Sequence, residues 1–224
     1  MSDFTTWRSL VDGEEVSLIS DSVEYRFVAD DYDEGQGEWD AIEGDATLVD
    51  VGSPTKNEDD LNGLATITLD GSDDGFVIEN DADVSLNQPF GVVTLLEHDG
   101  GSDEAIIEGS DERIIVAADA YGSRSGAGIF ASDWVDGGLT PDNEFYIQSG
   151  IFDGADSAVR VNKSTDATGD PGNNNLGGLT VGVRDRLDDN FLGGKIAEIH
   201  LLSDPDDVAE SEDFIEDRYG LSLD

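Results

Sequence analysis

Short apolar runs bounded by Gly, Asp, Asn or Pro recur along almost the whole chain, and none reaches the length of a membrane span. They fall at residues 25–29, 65–69, 76–79, 90–96, 105–108, 113–117, 128–130, 144–151, 158–161, 179–183 and 195–202. Runs this short, partly alternating and rich in Val, Ile and Phe, read as strands rather than helices. Turn signals separate them, as at Asp70-Gly71, Asp99-Gly100-Gly101, Asp153-Gly154 and the loop 169–178. So many strands so evenly punctuated predict an all-β sandwich or barrel.

One segment departs from that pattern. Asp204 can cap a helix, Pro205 suits its first position, and the acidic residues that follow sit where the helix dipole favours them. Val208, Ile215 and Tyr219 make an apolar stripe, and Gly220 supplies the stop. A short C-terminal helix is expected, packed as a lid on the sandwich edge.

Charge restricts partners and setting. The chain carries 53 Asp and Glu against 11 Lys and Arg, a formal net charge of −42 over 224 residues. Phosphate backbones need cations, so nucleic acid is not an expected partner. Self-repulsion on this scale destabilises a compact chain at low ionic strength, and about 1 M salt shortens the Debye length to roughly 3 Å and removes most of it. The composition points to an extreme halophile or a virus of one. Regular apolar strands argue against acidic disorder. The absence of cysteine excludes disulfides, thiolate metal sites and cysteine nucleophiles, while His98 and His200 lie far apart in sequence and build no His-rich site. The opening residues MSDFTTWRSL have neither a basic nor a continuous apolar region, so folding in the cytoplasm and no membrane insertion are expected.

No Pro/Gly/Ser linker splits the chain, and one domain over residues 23–224 is expected. Residues 1–22 read as an added arm: residues 7–11 and 16–19 flank the hairpin turn Asp12-Gly13. Such an arm either completes a sheet or docks a partner.

Several stretches resemble the concanavalin A-like lectin/glucanase superfamily in its laminin-G-like form. They are Asn62-Gly63 with residues 66–76 (TITLDGSDDGF), Pro89-Phe90, 149–154 (SGIFDG), 159–162 (VRVN), 177–184 (GGLTVGVR), 191–199 (FLGGKIAEI) and 214–221 (FIEDRYGL). The resemblance covers about residues 23–224 and implies a two-sheet antiparallel jelly-roll sandwich closed by the short helix. These motifs are architectural, and the fold hosts lectins, glycosidases, adhesion modules and virion proteins alike.

Three constellations could carry chemistry. Glu38-Trp39-Asp40-Ala41-Ile42-Glu43 is similar to the Glu-x-Asp-x-x-Glu of retaining β-glucanases, whose two carboxylates lie about 5 Å apart on a bulged strand. In so acidic a chain such matches arise by composition, so Trp39 is expected in the core and no enzyme is expected. Asp70, Asp73 and Asp74 cluster in an oxygen-rich turn, with Asp153 in another, suiting either a structural Ca²⁺ or plain turn carboxylates. Tyr121, Trp134 and Tyr146 are candidate sugar-stacking platforms or core aromatics. Asn162-Lys163-Ser164 is a glycosylation sequon that a chain folded in the cytoplasm would not present to the transferase.

The composition and the resemblance together lead to an expectation of a non-enzymatic virion protein of a haloarchaeal tailed virus, as capsid decoration, turret, spike or tail component. Its partners would be other virion proteins, further copies of itself and host surface glycans. A carbohydrate-binding or adhesion protein of a haloarchaeon is the alternative, and a retaining β-glucanase the third. The charge makes one prediction directly: the midpoint of thermal unfolding rises between about 0.1 M and about 3 M KCl. An unchanged midpoint would remove the main support for a high-salt setting.

Overall fold

The computed structural model describes residues 9–11, 14–16, 19–101, 103–118, 121 and 126–223. Two antiparallel sheets face each other. One runs, in lateral order, Ser164–Gly169, Ser157–Val161, Tyr146–Phe152, Phe90–His98, Gly193–Leu202, Leu64–Asp70 and Thr55–Leu61. The long strand Gly193–Leu202 also takes Val23–Val28 alongside its second half, which brings this sheet to 8 strands. The other sheet has 9 strands in the order Trp134–Asp136, Gly128–Phe130, Ile115–Ala117, Ala105–Glu108, Thr180–Val181, Gly75–Ile78, Thr47–Val51, Glu38–Asp40 and Tyr32–Asp33. The expected all-β, two-sheet antiparallel sandwich with one C-terminal helix is the observed architecture.

Every apolar run read from the sequence lies on or overlaps a strand. Among the strands that escaped, Thr55–Leu61 (TKNEDDL) and Ser164–Gly169 (STDATG) have little apolar content and lie at the ends of the 8-stranded sheet, while Thr47–Val51 (TLVDV) and Trp134–Asp136 (WVD) are short apolar strands of the other sheet. An end strand buries neither face fully and has one ladder of unpaired groups, so polar residues suit it and hydrophobic alternation is absent. The backbone of Ser9–Val11 pairs with Glu14–Val16 in a two-stranded sheet separate from both large ones. Trp7, the turn Asp12-Gly13 and Leu18, called as parts of the arm, lie outside the described residues.

Inward residues of both sheets fill the core. Trp39 is fully buried, its indole Nε1 donates to the Val28 carbonyl at 2.8 Å, and its ring packs 5.7 Å from Phe27 and 5.0 Å from Phe76. A tryptophan so placed contributes its full apolar area without an orphaned N–H. Phe90 and Phe152, directly paired across neighbouring strands, stack at 4.6 Å.

The helix Val208–Tyr219 follows a 3-10 turn at Pro205–Asp207, where the Asp204 carboxylate accepts from the Asp206 amide, and it ends at Gly220 with φ +58°. Its placement corrects the expectation of a lid on the sandwich edge. Val208, Ile215 and Tyr219 pack on Val93, Leu95, Ile147, Ala197 and Leu202, the outward side of the central strands of the 8-stranded sheet. A central strand that is apolar on both faces needs a second cover, and the helix supplies it. Ion pairs reinforce the docking: Arg160 to Glu212 at 2.6 Å, Lys163 to Asp213 at 2.6 Å, and Arg218 to Glu198 at 3.1 Å.

A bulge at residues 95–96 against 196–198 sets the polar layer beneath the helix. Beyond it, Ile199 and Leu201 point into the core while Glu198 and His200 lie in a polar cluster beneath the helix. Glu198 receives Arg26 Nε and His200 Nε2, each at 2.6 Å, and the other ring nitrogen of His200 meets the Ser211 hydroxyl on the helix. Both partners fit a neutral imidazole that donates from Nε2 and accepts at Nδ1. Burial holds the His200 pKa below its ordinary value, against the pull of Glu198. Burial alone would raise Glu198, but the hydrogen bond from His200 and the charge and hydrogen bond of Arg26 outweigh it and bring the carboxyl down to about 2.

Both shifts give a signed prediction. The unfolded chain takes up a proton at His200 near pH 6.5, which the folded protein resists, so that contribution to stability is complete above about pH 6.5 and shrinks below it. The Glu198 contribution is complete above about pH 4.3 and is lost as pH falls toward the folded value. In urea unfolding at fixed high salt, the gap in midpoint between wild type and His200→Gln should narrow below about pH 6.5, and that to Glu198→Gln below about pH 4.3. Ile215→Ala should cost about 2–5 kcal/mol by opening a cavity under the helix.

Candidate functional site

Direct cross-strand partners point to the same face, and in the 9-stranded sheet they form one continuous lateral row: Trp134, Phe130, Ile115, Glu108, Thr180, Val77, Val49 and Glu38. Their neighbours along the strands, among them Val135, Ile129, Val116, Val181, Phe76, Leu48 and Trp39, are core residues, so the row faces away from the core. One end is aromatic and the other acidic.

Tyr121 packs against the aromatic end. The Tyr121 and Trp134 rings are 5.3 Å apart, Phe130 and Trp134 are 5.2 Å apart, and all three side chains are half-buried. Arg113 reaches across the same ground, with its guanidinium 5.7 Å from the Phe130 ring. Its Nε donates to Glu108 at 2.5 Å and its Nη2 to the Tyr121 hydroxyl at 3.0 Å. The Tyr121 hydroxyl has two acceptors for its one proton, Asn190 at 3.3 Å and Glu108 at 3.5 Å, and Asn190 is tied by its own amide to the Asp103 carbonyl at 2.7 Å.

Burial raises the Glu108 carboxyl, with Arg113 opposing, and burial followed by the Glu108 charge pushes Tyr121 up to about 12. Tyr121 is therefore a neutral phenol at any ordinary pH. Aromatic faces beside a phenol, an amide and an arginine–carboxylate pair suit a ligand with both C–H faces and hydroxyl groups. A cleft of about 270 Å³, lined in part by Asn190, Asp103, Asp188 and Asp189, adjoins the cluster.

Of the three aromatics singled out in the sequence, the fold brings Tyr121 and Trp134 together and removes Tyr146. Tyr146 is fully buried, stands edge-on to His98 at 5.8 Å, and presents no face to a ligand. Its strand is central in the 8-stranded sheet, which covers it on both sides. Sequence reasoning missed Glu108, Arg113, Phe130 and Asn190. Phe130 carried a signal: in Phe-Ala-Ser-Asp-Trp a three-residue hairpin loop places Phe130 opposite Trp134.

The glucanase-like spacing does not produce a carboxylate pair on one bulged strand. Glu38 lies on a short strand of the 9-stranded sheet, whereas Glu43 lies beyond its end and accepts through its backbone carbonyl from Arg26 of the opposite sheet.

Asp70, Asp73 and Asp74 do come together, with one oxygen of each within 4.8 Å of the others. Asp70 Oδ1 accepts the amides of Ser72 and Asp73, and the two oxygens of Asp74 accept those of Ser53 and Asp70. Those amides lower Asp70, while burial raises Asp74. Much of the oxygen that a hard cation would claim is thus turned to the backbone, and the fit to Ca²⁺ is partial. Asp153 does not join the group. It follows Phe152, paired with Phe90, whereas Asp70 pairs with Gly193 near His98, at the other end of the same strands.

No family model matches this chain, and no curated protein matches it. Among solved structures it is similar to domain 4 of AbnA, a GH43 extracellular arabinanase from Geobacillus stearothermophilus, in complex with arabinotriose. That TM-score is 0.63 at 14% identity, over 84% of this chain and 97% of that one. It is also similar to Trypanosoma rangeli sialidase in complex with the inhibitor DANA, with TM-score 0.62 and 9% identity over 92% of this chain and 35% of that one. The receptor-binding domain of botulinum neurotoxin type G gives 0.53 at 11% identity over 85% and 51%. The chain thus spans about a third of the sialidase and half of the toxin domain. At these identities the likeness is one of fold: the chain shares the β-sandwich of these domains.

Proposed function

We propose that this chain is a non-enzymatic carbohydrate-binding β-sandwich module whose site is the Tyr121, Phe130 and Trp134 cluster with Glu108, Arg113 and Asn190. The observation that carries the reading is the packing of Tyr121 against Trp134 at 5.3 Å beside a fixed set of donors and acceptors. The similarity to a domain solved with arabinotriose supports the same class of ligand. Sugars stack their C–H faces on such rings and direct their hydroxyls to the polar neighbours.

Titration calorimetry with arabinotriose, cellotriose and maltotriose tests it. At least one should bind, and Trp134→Ala should weaken that binding by about tenfold or more, which is about 1.4 kcal/mol. Tyr146→Phe, a change at a buried ring, should leave affinity unaltered. Equal binding by Trp134→Ala would move the site elsewhere. The non-enzymatic part predicts no new reducing ends from the same oligosaccharides, and binding unchanged in Glu38→Gln with Glu43→Gln.

A finer reading places the module on the particle of a haloarchaeal tailed virus, with residues 1–22 as its attachment to other virion proteins or to further copies of itself. Two observations favour it: the net charge of −42 and, among the described residues, the pairing of Ser9–Val11 with Glu14–Val16 in a sheet separate from both large ones. Deletion of residues 1–22 should leave cooperative folding by circular dichroism and abolish assembly measured by light scattering in high salt. Retained assembly would reject the docking role.

A further inference from the structure

We infer that the aromatic site accepts neutral, hydroxyl-rich oligosaccharides and rejects sugars that carry a carboxylate, with Glu108 as the residue that enforces the choice. The inference rests on the carbohydrate-binding reading and narrows its ligand class.

A protein that recognises a uronic or sialic acid needs a cation with free donors facing the sugar, and a bidentate arginine fork meets that need best. Among the described residues, the arginine that packs on the aromatic platform is already committed. Arg113 gives its Nε to Glu108 at 2.5 Å and its Nη2 to Tyr121, so two of its donor positions are held inside the protein. Arg184 is engaged by Asp188 at 3.5 Å and Asp189 at 3.6 Å, with Asp185 at 3.9 Å. The segment 184–189 (RDRLDD) that carries it contains three aspartates for its two arginines.

Glu108 sits at the centre of the outward row, fully buried and paired with Arg113. A ligand carboxylate that claimed Arg113 would have to break that pair and leave Glu108 buried without its counter-charge, which is strongly unfavourable. A hydroxyl makes no such demand. It can donate to Asn190 and accept from the exposed outer edge of Arg113 with the pair intact. Two effects therefore oppose an acidic sugar: the long-range field of a domain with net charge −42 and the local cost at Glu108. Salt separates them, because at about 1 M the Debye length of roughly 3 Å removes the first while a buried pair is screened far less.

The experiment uses the whole chain with arabinotriose, cellotriose and maltotriose, each beside its primary-alcohol-oxidised carboxylate form, at about 0.1 M and about 1 M salt. Each neutral sugar that binds should do so at least about tenfold more tightly than its oxidised form at both salt concentrations. In Glu108→Gln the gap should narrow to within about threefold. An oxidised form that binds as tightly as its neutral parent, or alone, overturns the inference and leaves the glycan reading standing. A gap that closes at about 1 M salt in the wild type assigns the selectivity to net charge and overturns the role of Glu108, a result that holds even where Glu108→Gln does not fold. Failure of every neutral and oxidised sugar to bind defeats the glycan reading itself.

Discussion

Scarcity of cations is the constraint on which the rest of this structure turns. With 53 carboxylates and 11 basic residues, most charge on the chain can only repel, so the sandwich must be held by its apolar interior and by careful placement of the few attractive pairs. Those pairs join parts of the chain that are remote in sequence. Arg26 meets Glu198, Lys195 meets Asp60, Arg160 meets Glu212, and Arg218 meets both Asp30 and Glu198. Exposed pairs of this kind contribute little individually, but the partners of Arg26, Arg160 and Arg218 include buried carboxylates, whose loss of a counter-charge would be costly.

The bulge opposite residues 95–96 shows how backbone geometry directs that placement. Without the extra residue the alternation beyond Ala197 would reverse, and Glu198 and His200 would point into the core while Ile199 and Leu201 faced the helix. With it, the helix finds both an apolar seat at Val93, Leu95 and Leu202 and a polar one at Glu198 and His200. The helix is thereby a second layer on the central strands, and the sandwich has three layers at that point.

The aromatic site shares this economy. Arg113 is one of the few cations not tying distant elements together, since its partner Glu108 lies only five residues away. Instead the pair fixes Tyr121 over the outward face. The rest of the outer surface differs in kind: the helix covers the central strands of the 8-stranded sheet, and the far end of the same outward row carries Glu38 and Asp33.

Most strands with strong apolar content, the helix with its cap and stop and the core role of Trp39 were legible in the chain, because each depends on local periodicity or residue chemistry; Tyr121, Trp134 and Tyr146 stood together as candidate aromatics. Tyr146 was not separable from them. An aromatic on a strand looks the same in sequence whether its strand is central or peripheral, and only strand order buries it. Glu108, Arg113 and Asn190 were invisible for a related reason: nothing local distinguishes one carboxylate among 53, and they come together only when the sheet register sets Glu108 in line with Trp134 and Tyr121 packs beside them. Asp153 and Asp70 were likewise parted by strand direction, not by composition. Sequence by itself therefore determined most of the segments that become strands, where the helix starts and stops, and the net charge the fold must carry. Tertiary structure alone decided which side chains share a face, because that depends on lateral strand order and on a one-residue bulge that local periodicity does not encode.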